Sequence, residues 1–494
     1  YFFARAFPGT VTGHREACRA LRSYDDEPVH YAFSFEVARW LARKCPGEVS
    51  IDWDAIEDPS GFDDLLRLLI QPVEDEYFES GYISSRDWID RARAGNDGTD
   101  FDWLLAQLQD KGPRPFWTQL YDAAEIPLTW NQVGSRYSKS RNALPNRNVA
   151  TREDGMRSRP RQPKQAIREP LHDIRLLSSR EGARLVDIAM ASLAVRYRET
   201  WHFNYANPKV VYLADVGAGV AIAVFGLLPE YRYPLECTMG YLILSNGAPI
   251  GYGGSSIVFR QANTGLNIFD EYRGSEAAFL WTQVMRVYHA LTGCNRFVAN
   301  AYQFGEDNNE ALKSGAFWFY YRTGFRPVAA EVRKLAADES SRIKKNRSYR
   351  SSIATLRKLS SCDMHLTLPG ATASDLFDEE WLVTSSMLAS RELGTTVARS
   401  HAGSADAIAA SVARGLDIRN IERWSSAERR GFMRIAPIVA AAGPASWTRD
   451  EKRTMRALLR AKGGDREARY ARLLSKHDKF LKSLKKACRR TSPE

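Results

Sequence analysis

From Asn267 to Pro327 the chain alternates in a way that few folds accommodate. Ile268-Phe269-Asp270-Glu271-Tyr272-Arg273-Gly274 reads as a strand that stops at a turn. Ala277, Ala278, Leu280, Trp281, Val284, Met285, Val287, Tyr288 and Leu291 then recur at spacings of three and four, which predicts a helix with one buried face. Arg296-Phe297-Val298-Ala299-Asn300-Ala301-Tyr302 predicts the next strand, and Asn308-Asn309-Glu310-Ala311 supplies polar capping residues for a following helix. That helix is rich in aromatics, Phe317 to Tyr321, and closes on Gly324-Phe325-Arg326-Pro327. Strand, helix, strand, helix implies an α/β domain in which the two strands run parallel.

The helix start after Arg273-Gly274 presents unpaired N–H groups and the positive end of a helix dipole, a natural place for a pyrophosphate. With that turn, the order of elements resembles the acetyl-coenzyme A half of the GCN5-related N-acetyltransferase family. The family's turn usually reads Arg-Gly-x-Gly-x-Gly or Ala; Arg273, Gly274 and Ala278 match it, and Glu276 stands where the middle glycine belongs. A carboxylate facing phosphates repels them, so either Glu276 points outward or cofactor binding at this turn is altered. Tyr320-Tyr321-Arg322-Thr323-Gly324-Phe325 is similar to the family's Tyr-x-x-x-Gly-Phe ending.

The resemblance implies that Tyr320 is the acid for the departing thiolate and that Asn309 is a cofactor contact, with Lys313 to Ala316 as one extra turn. It implies that Ile268 and Phe269 offer main-chain groups to pantetheine, that Arg273, Gly274, Ser275, Ala277 and Ala278 cradle pyrophosphate, and that Glu236, Asp270 or Glu271 is the base. The implied chemistry is direct transfer of an acyl group from acetyl-coenzyme A, or another acyl-coenzyme A, to an amine on a small molecule or protein. The alternatives are a non-catalytic binding or scaffold protein on the same fold, and a relative fed by a carrier such as transfer RNA.

Further motifs extend the similar stretch to about 171–335. Asp173 to Leu177 reads as an opening strand and Ser178 to Arg198 as a helix, capped by Ser178 or Ser179 with Glu181 in support. Asn246-Gly247 between apolar runs predicts a hairpin. The segment from Asn207 to Glu236 has no place in a minimal version of the fold and reads as an insertion. Within it, Asp215-Val216-Gly217-Ala218-Gly219 resembles the strand-to-glycine turn of Rossmann-like methyltransferases that bind S-adenosylmethionine. That motif needs a helix next, and the run from Val220 to Leu228 is rich in β-formers instead, so a hairpin is expected.

The fold class expected overall is α/β: a central mixed, twisted sheet flanked by helices, with α-helical N- and C-terminal domains. At 494 residues several domains are expected: an acidic, mainly helical 1–133; a basic Pro/Arg-rich linker or strap at 134–170; the transferase-like 171–335; and a mainly helical 336–494. Charge divides along these lines, with 17 acidic against 4 basic residues from Glu48 to Asp110 and 15 basic against 5 acidic from Glu451 to Glu494. The basic tail reads as one amphipathic helix, Tyr470, Leu473, Leu474, Phe480, Leu481 and Leu484 on one side. It is open to nucleic acid or an acidic partner through 451–490, to docking within the protein, or to plain solvation.

No apolar run is long enough to cross a membrane. Six scattered cysteines without a Cys-x-x-Cys pair point to a reducing cytoplasm, and neither they nor the eight histidines have metal-ligand spacing, so no metal is expected. The sequence begins at Tyr1 with no signal-peptide pattern, which leaves its natural start open.

Overall fold

The computed structural model describes residues 1–95, 97–109, 114–146, 148–346, 348–377, 379–399 and 403–490. The chain divides into two compact units. The first comprises Tyr1–Glu153, Ala183–Tyr205 and Ser245–Pro249; the second comprises Asp154–Gly182, Ala206–Leu244 and Ile250–Glu494.

The first unit packs helices around a small antiparallel sheet of β1 (Val29–Tyr31), β2 (Val49–Ile51) and β3 (Leu128–Trp130), in the order β1-β3-β2. Phe62, Leu65, Leu66, Ile89, Leu104 and Leu105 on its helices are buried. Some of its acids serve the fold directly: Asp100 accepts the Ile51 N–H at 3.1 Å and the Trp53 indole at 2.7 Å. Residues 134–153, expected to be linker, are part of this unit. Ser140 donates its hydroxyl and its N–H to Asp26 at 2.5 and 3.1 Å, and the Asn142 amide reaches the Ile188 carbonyl and the Ser192 hydroxyl, both at 2.9 Å. A polar segment is buried without penalty when its groups are bonded in this way. Only 154–170 acts as a strap, with Ile167 buried and the carbonyls of Glu169 and Pro170 held by Arg286 in the second unit.

The second unit is built on a mixed sheet of ten strands: β4 (Ile174–Leu176), β5 (Ala206–Gly217), β6 (Val220–Leu227), β7 (Cys237–Ser245), β8 (Ala248–Val258), β9 (Gln261–Thr264), β10 (Asn267–Ile268), β11 (Arg296–Ala299), β12 (Arg326–Pro327) and β13 (Met364–Thr367). Their order is β12-β13-β11-β9-β8-β7-β6-β5-β4, with β10 paired to β8. β9 and β11 are parallel, while β4 with β5, β5 with β6, β8 with β9 and β11 with β13 are antiparallel.

Two hairpins show how sequence sets this sheet. Asn246 and Gly247, at φ 46° and 79°, join β7 to β8. Gly217 pairs with Val220 around Ala218 and Gly219, at φ 55° and 70°, so the glycine-rich motif closes a hairpin and no helix follows it. Two consecutive positive φ angles match the twist of the flanking strands, which is why such pairs turn a hairpin. The stretch expected to be an insertion therefore supplies two strands of the sheet.

Beyond residue 335 the chain is mainly helical, but β13 comes from this region and inserts between β11 and β12. The tail is two helices, Glu467–Leu474 and Asp478–Arg489, separated by a break at which His477 Nδ1 accepts the Phe480 N–H at 3.1 Å. Its apolar side is consumed within the unit: Tyr470, Leu474, Phe480 and Leu484 are buried, and the Tyr470 hydroxyl donates to the Leu235 carbonyl at 2.5 Å. Among the described residues no helix is long and apolar enough to cross a membrane.

Candidate active site at the parting strands

Arg296, Phe297 and Val298 of β11 lie beside Gln261, Ala262 and Asn263 of β9. One residue further on β11 ends, and the chain turns into the short 3-10 helix Ala301–Phe304. The line of β9 instead continues through β10 to Ile268, held on its other side by β8. The parallel pair thus parts after Asn263 and Val298, leaving a wedge between two strand ends. The β8 ladder is also interrupted here, between the Ser255–Thr264 and Tyr252–Asn267 pairs, so Gly265 and Leu266 must find other partners for their backbone groups.

Two tyrosines meet that need. The Tyr241 hydroxyl donates to the Gly265 carbonyl at 2.5 Å, and the Tyr320 hydroxyl lies towards the Leu266 backbone, whose N–H lowers its pKa against the larger effect of burial. Tyr320 reaches this point from the helix Ala316–Arg322, with its ring packed edge-on against Trp281 at 5.9 Å and Phe325 at 5.6 Å. Only 3% of it is exposed, and burial pushes its phenol well above the usual tyrosine range, so it stays protonated at neutral pH. The side chain of Gln303 also sits in the wedge: a methyl placed on Gly265 would lie 2.3 Å from its Oε1.

The other residues singled out in the sequence fall into three groups. Ile268 ends β10 opposite Gly251, and Phe269 is buried, its N–H given to Ile250 and its carbonyl to Tyr272. Phe269 therefore has its main-chain groups occupied, and those at the wedge belong to Gly265 and Leu266. Asp270, Glu271 and Tyr272 form one 3-10 turn. Exposed Asp270 is paired with Arg273 at 2.8 Å, and Arg273 is also paired with Glu310 at 2.9 Å. Gly274 has φ 83°, Ser275 keeps its hydroxyl buried, and Ala277 and Ala278 open the helix Ala277–Thr292.

Glu276 does not point outward. It is 2% exposed at the N-cap of that helix, and its carboxylate accepts the Arg157 N–H of the strap at 2.8 Å. The carboxylate makes no capping bond to the helix itself and is turned to the strap. Asn309 is exposed at the start of Asn309–Ser314; the capping bond there is made by Asn308, which accepts the Ala311 N–H at 3.0 Å. The expected extra turn is a break, since Gly315 at φ 67° ends one helix and begins the next.

Of the three candidate bases, Glu236 is the one tied to the wedge. Its Oε1 accepts the Ser256 hydroxyl at 2.5 Å, and Ser256 sits opposite Asn263, the last residue of β9 with β11 beside it. Burial raises its pKa above the usual glutamate range, a shift opposed by the Ser256 bond and by Lys462.

A feature not read from the sequence lies on the other side of the Tyr320 helix. A cleft of about 810 Å³ opens there, walled by Trp318, Phe319 and Tyr321 and reaching Ala278 at the start of the neighbouring helix. Arg159, Arg322, Arg326 and Lys344 line it, and among the described residues no carboxylate does. These cations come from three separated stretches of chain, which explains why no local pattern announces them.

Scans of protein-family models, curated proteins and solved structures each found no match to this chain.

Proposed function

We propose that the protein transfers an acyl group from a coenzyme A thioester to an amine. The observation that carries this reading is the end of the β9–β11 pairing after Asn263 and Val298, with the buried Tyr320 phenol directed at Leu266 just beyond it. A wedge between parallel strands admits a narrow, extended arm. The amine nitrogen attacks the thioester carbon and loses a proton towards Glu236, directly or through water, as the carbon–sulfur bond breaks. The sulfur leaves as a thiolate beside the Tyr320 hydroxyl. Because burial raises the phenol's pKa, its contribution is a hydrogen bond to the developing charge more than a completed proton transfer.

Two observations favour a second reading, a binding protein without turnover: the Glu276 carboxylate at the helix start and the Gln303 side chain in the wedge. Thermal-shift and thiol-release measurements with acetyl-coenzyme A, longer acyl thioesters and a panel of amines separate the two. Stabilisation with thiol release supports transfer. Stabilisation without release for any amine supports the binding reading, and neither effect removes both.

A further inference from the structure

At the helix start after Gly274 the buried Glu276 carboxylate, bonded to the Arg157 N–H of the strap, occupies the place where the sequence predicts a pyrophosphate. One helix away, four cations share a cleft with three aromatic walls. Two of the cations are brought together by the fold: the Arg159 guanidinium of the strap donates to the Arg322 carbonyl. Arg326 lies over the Tyr321 ring, 4.1 Å from its centre, and donates to the carbonyls of Tyr321 and Phe325. None of the four forms a salt bridge with a described carboxylate. Like charges gathered without a counter-ion cost stability, and an anion repays that cost. Ser314, Thr323, Ser340 and Trp318 also line the cleft. This is the chemistry of a small ligand with a flat heteroaromatic base and several phosphoryl groups.

We propose that this cleft is a nucleotide site, and that it, rather than the Arg273–Ala278 turn, grips the phosphorylated adenosine end of the acyl thioester. The second part rests on the transferase reading; the first does not. The strap is then part of the binding site through Arg159, while Arg157 secures it at Glu276. The Tyr320 helix lies between the two halves of the ligand, its Trp318 and Arg322 side to the nucleotide and its Tyr320 side to the thioester.

The test is calorimetric titration of adenosine 3′,5′-bisphosphate, coenzyme A and pantetheine into the wild type, into the Arg322→Ala, Lys344→Ala double variant, and into Arg273→Ala. Loss of two cation–phosphate contacts weakens binding about 100-fold or more. The proposal expects that loss for the bisphosphate and for coenzyme A in the double variant, with pantetheine unchanged and Arg273→Ala within about threefold of wild type. Binding of the bisphosphate with the same dependence, but no acyl transfer from any thioester, keeps the nucleotide site and removes the transferase reading. No bisphosphate binding to the wild type, equal binding in the double variant, or a larger loss from Arg273→Ala overturns the cleft assignment. Circular dichroism and a urea midpoint no lower than that of the wild type establish that the double variant is folded; if it is not, Arg326→Gln with Lys344→Gln is read by the same criteria.

Discussion

Tyr320→Phe removes one oxygen atom from the centre of the proposed site and leaves the ring's packing against Trp281 and Phe325 in place. In the free protein it removes the oxygen towards which the N–H of half-buried Leu266 is directed, at a cost of about 1 kcal/mol. In the reaction it deletes the donor facing the departing sulfur. Loss of one such donor lowers turnover about 100-fold to 1,000-fold. Stability and catalysis must be separated, and the fold supplies the control. Tyr241→Phe deletes the neighbouring hydroxyl, the one on the Gly265 carbonyl, with a similar structural cost but no donor at the sulfur. Urea denaturation and thiol release with a saturating amine are measured for both variants. The expected result is a comparable loss of stability, with turnover reduced about 100-fold or more in Tyr320→Phe and less than about fivefold in Tyr241→Phe. Turnover of Tyr320→Phe within about threefold of wild type, or an equal loss in both, refutes the role given to this hydroxyl.

Glu236→Gln removes the candidate base, so kcat/KM falls about 100-fold and loses its acid limb; in the wild type, the raised pKa places that limb above the ordinary glutamate range, and a wild-type profile flat down to pH 4.5 would dismiss Glu236. Gly253→Ala places a methyl 2.5 Å from the Tyr241 hydroxyl and 2.7 Å from the Gly265 carbonyl, so it costs about 1–3 kcal/mol by urea denaturation and weakens thioester binding. Lys462 is fully buried, with its pKa lowered to about 8. Between pH 8 and 10.5 the unfolded chain binds the extra proton, so stability rises with pH across that window, on the order of 3 kcal/mol in total. Lys462→Met removes that rise, and an unchanged slope in the variant would contradict the assignment.

The local devices were legible in the sequence. Asn246-Gly247 and Gly217-Ala218-Gly219 turned as their tolerance of positive φ requires, and the period of Ala277 to Leu291 marked a helix whose buried residues include Leu280, Trp281, Val284 and Leu291. The failures share one cause, partners distant in sequence. Met364 to Thr367 is four residues long and becomes a strand only because β11 and β12 lie on either side of it. Ser140 and Asn142 read as linker because their partners, Asp26, Ile188 and Ser192, are far along the chain. Nothing in Thr264-Gly265-Leu266-Asn267 indicates that hydroxyls from Tyr241 and Tyr320 replace the ladder there. The direction of Glu276 depended on Arg157, more than a hundred residues earlier.

The central claim, that a thioester's arm enters between β9 and β11, is tested most directly by amide hydrogen exchange with and without acetyl-coenzyme A. Bound cofactor is predicted to slow exchange at Leu266 to Ile268 and at Ala299 to Gln303, and S-adenosylmethionine to leave both segments unchanged. Unaltered exchange in both segments under saturating acetyl-coenzyme A, or protection confined to other parts of the chain, would contradict it.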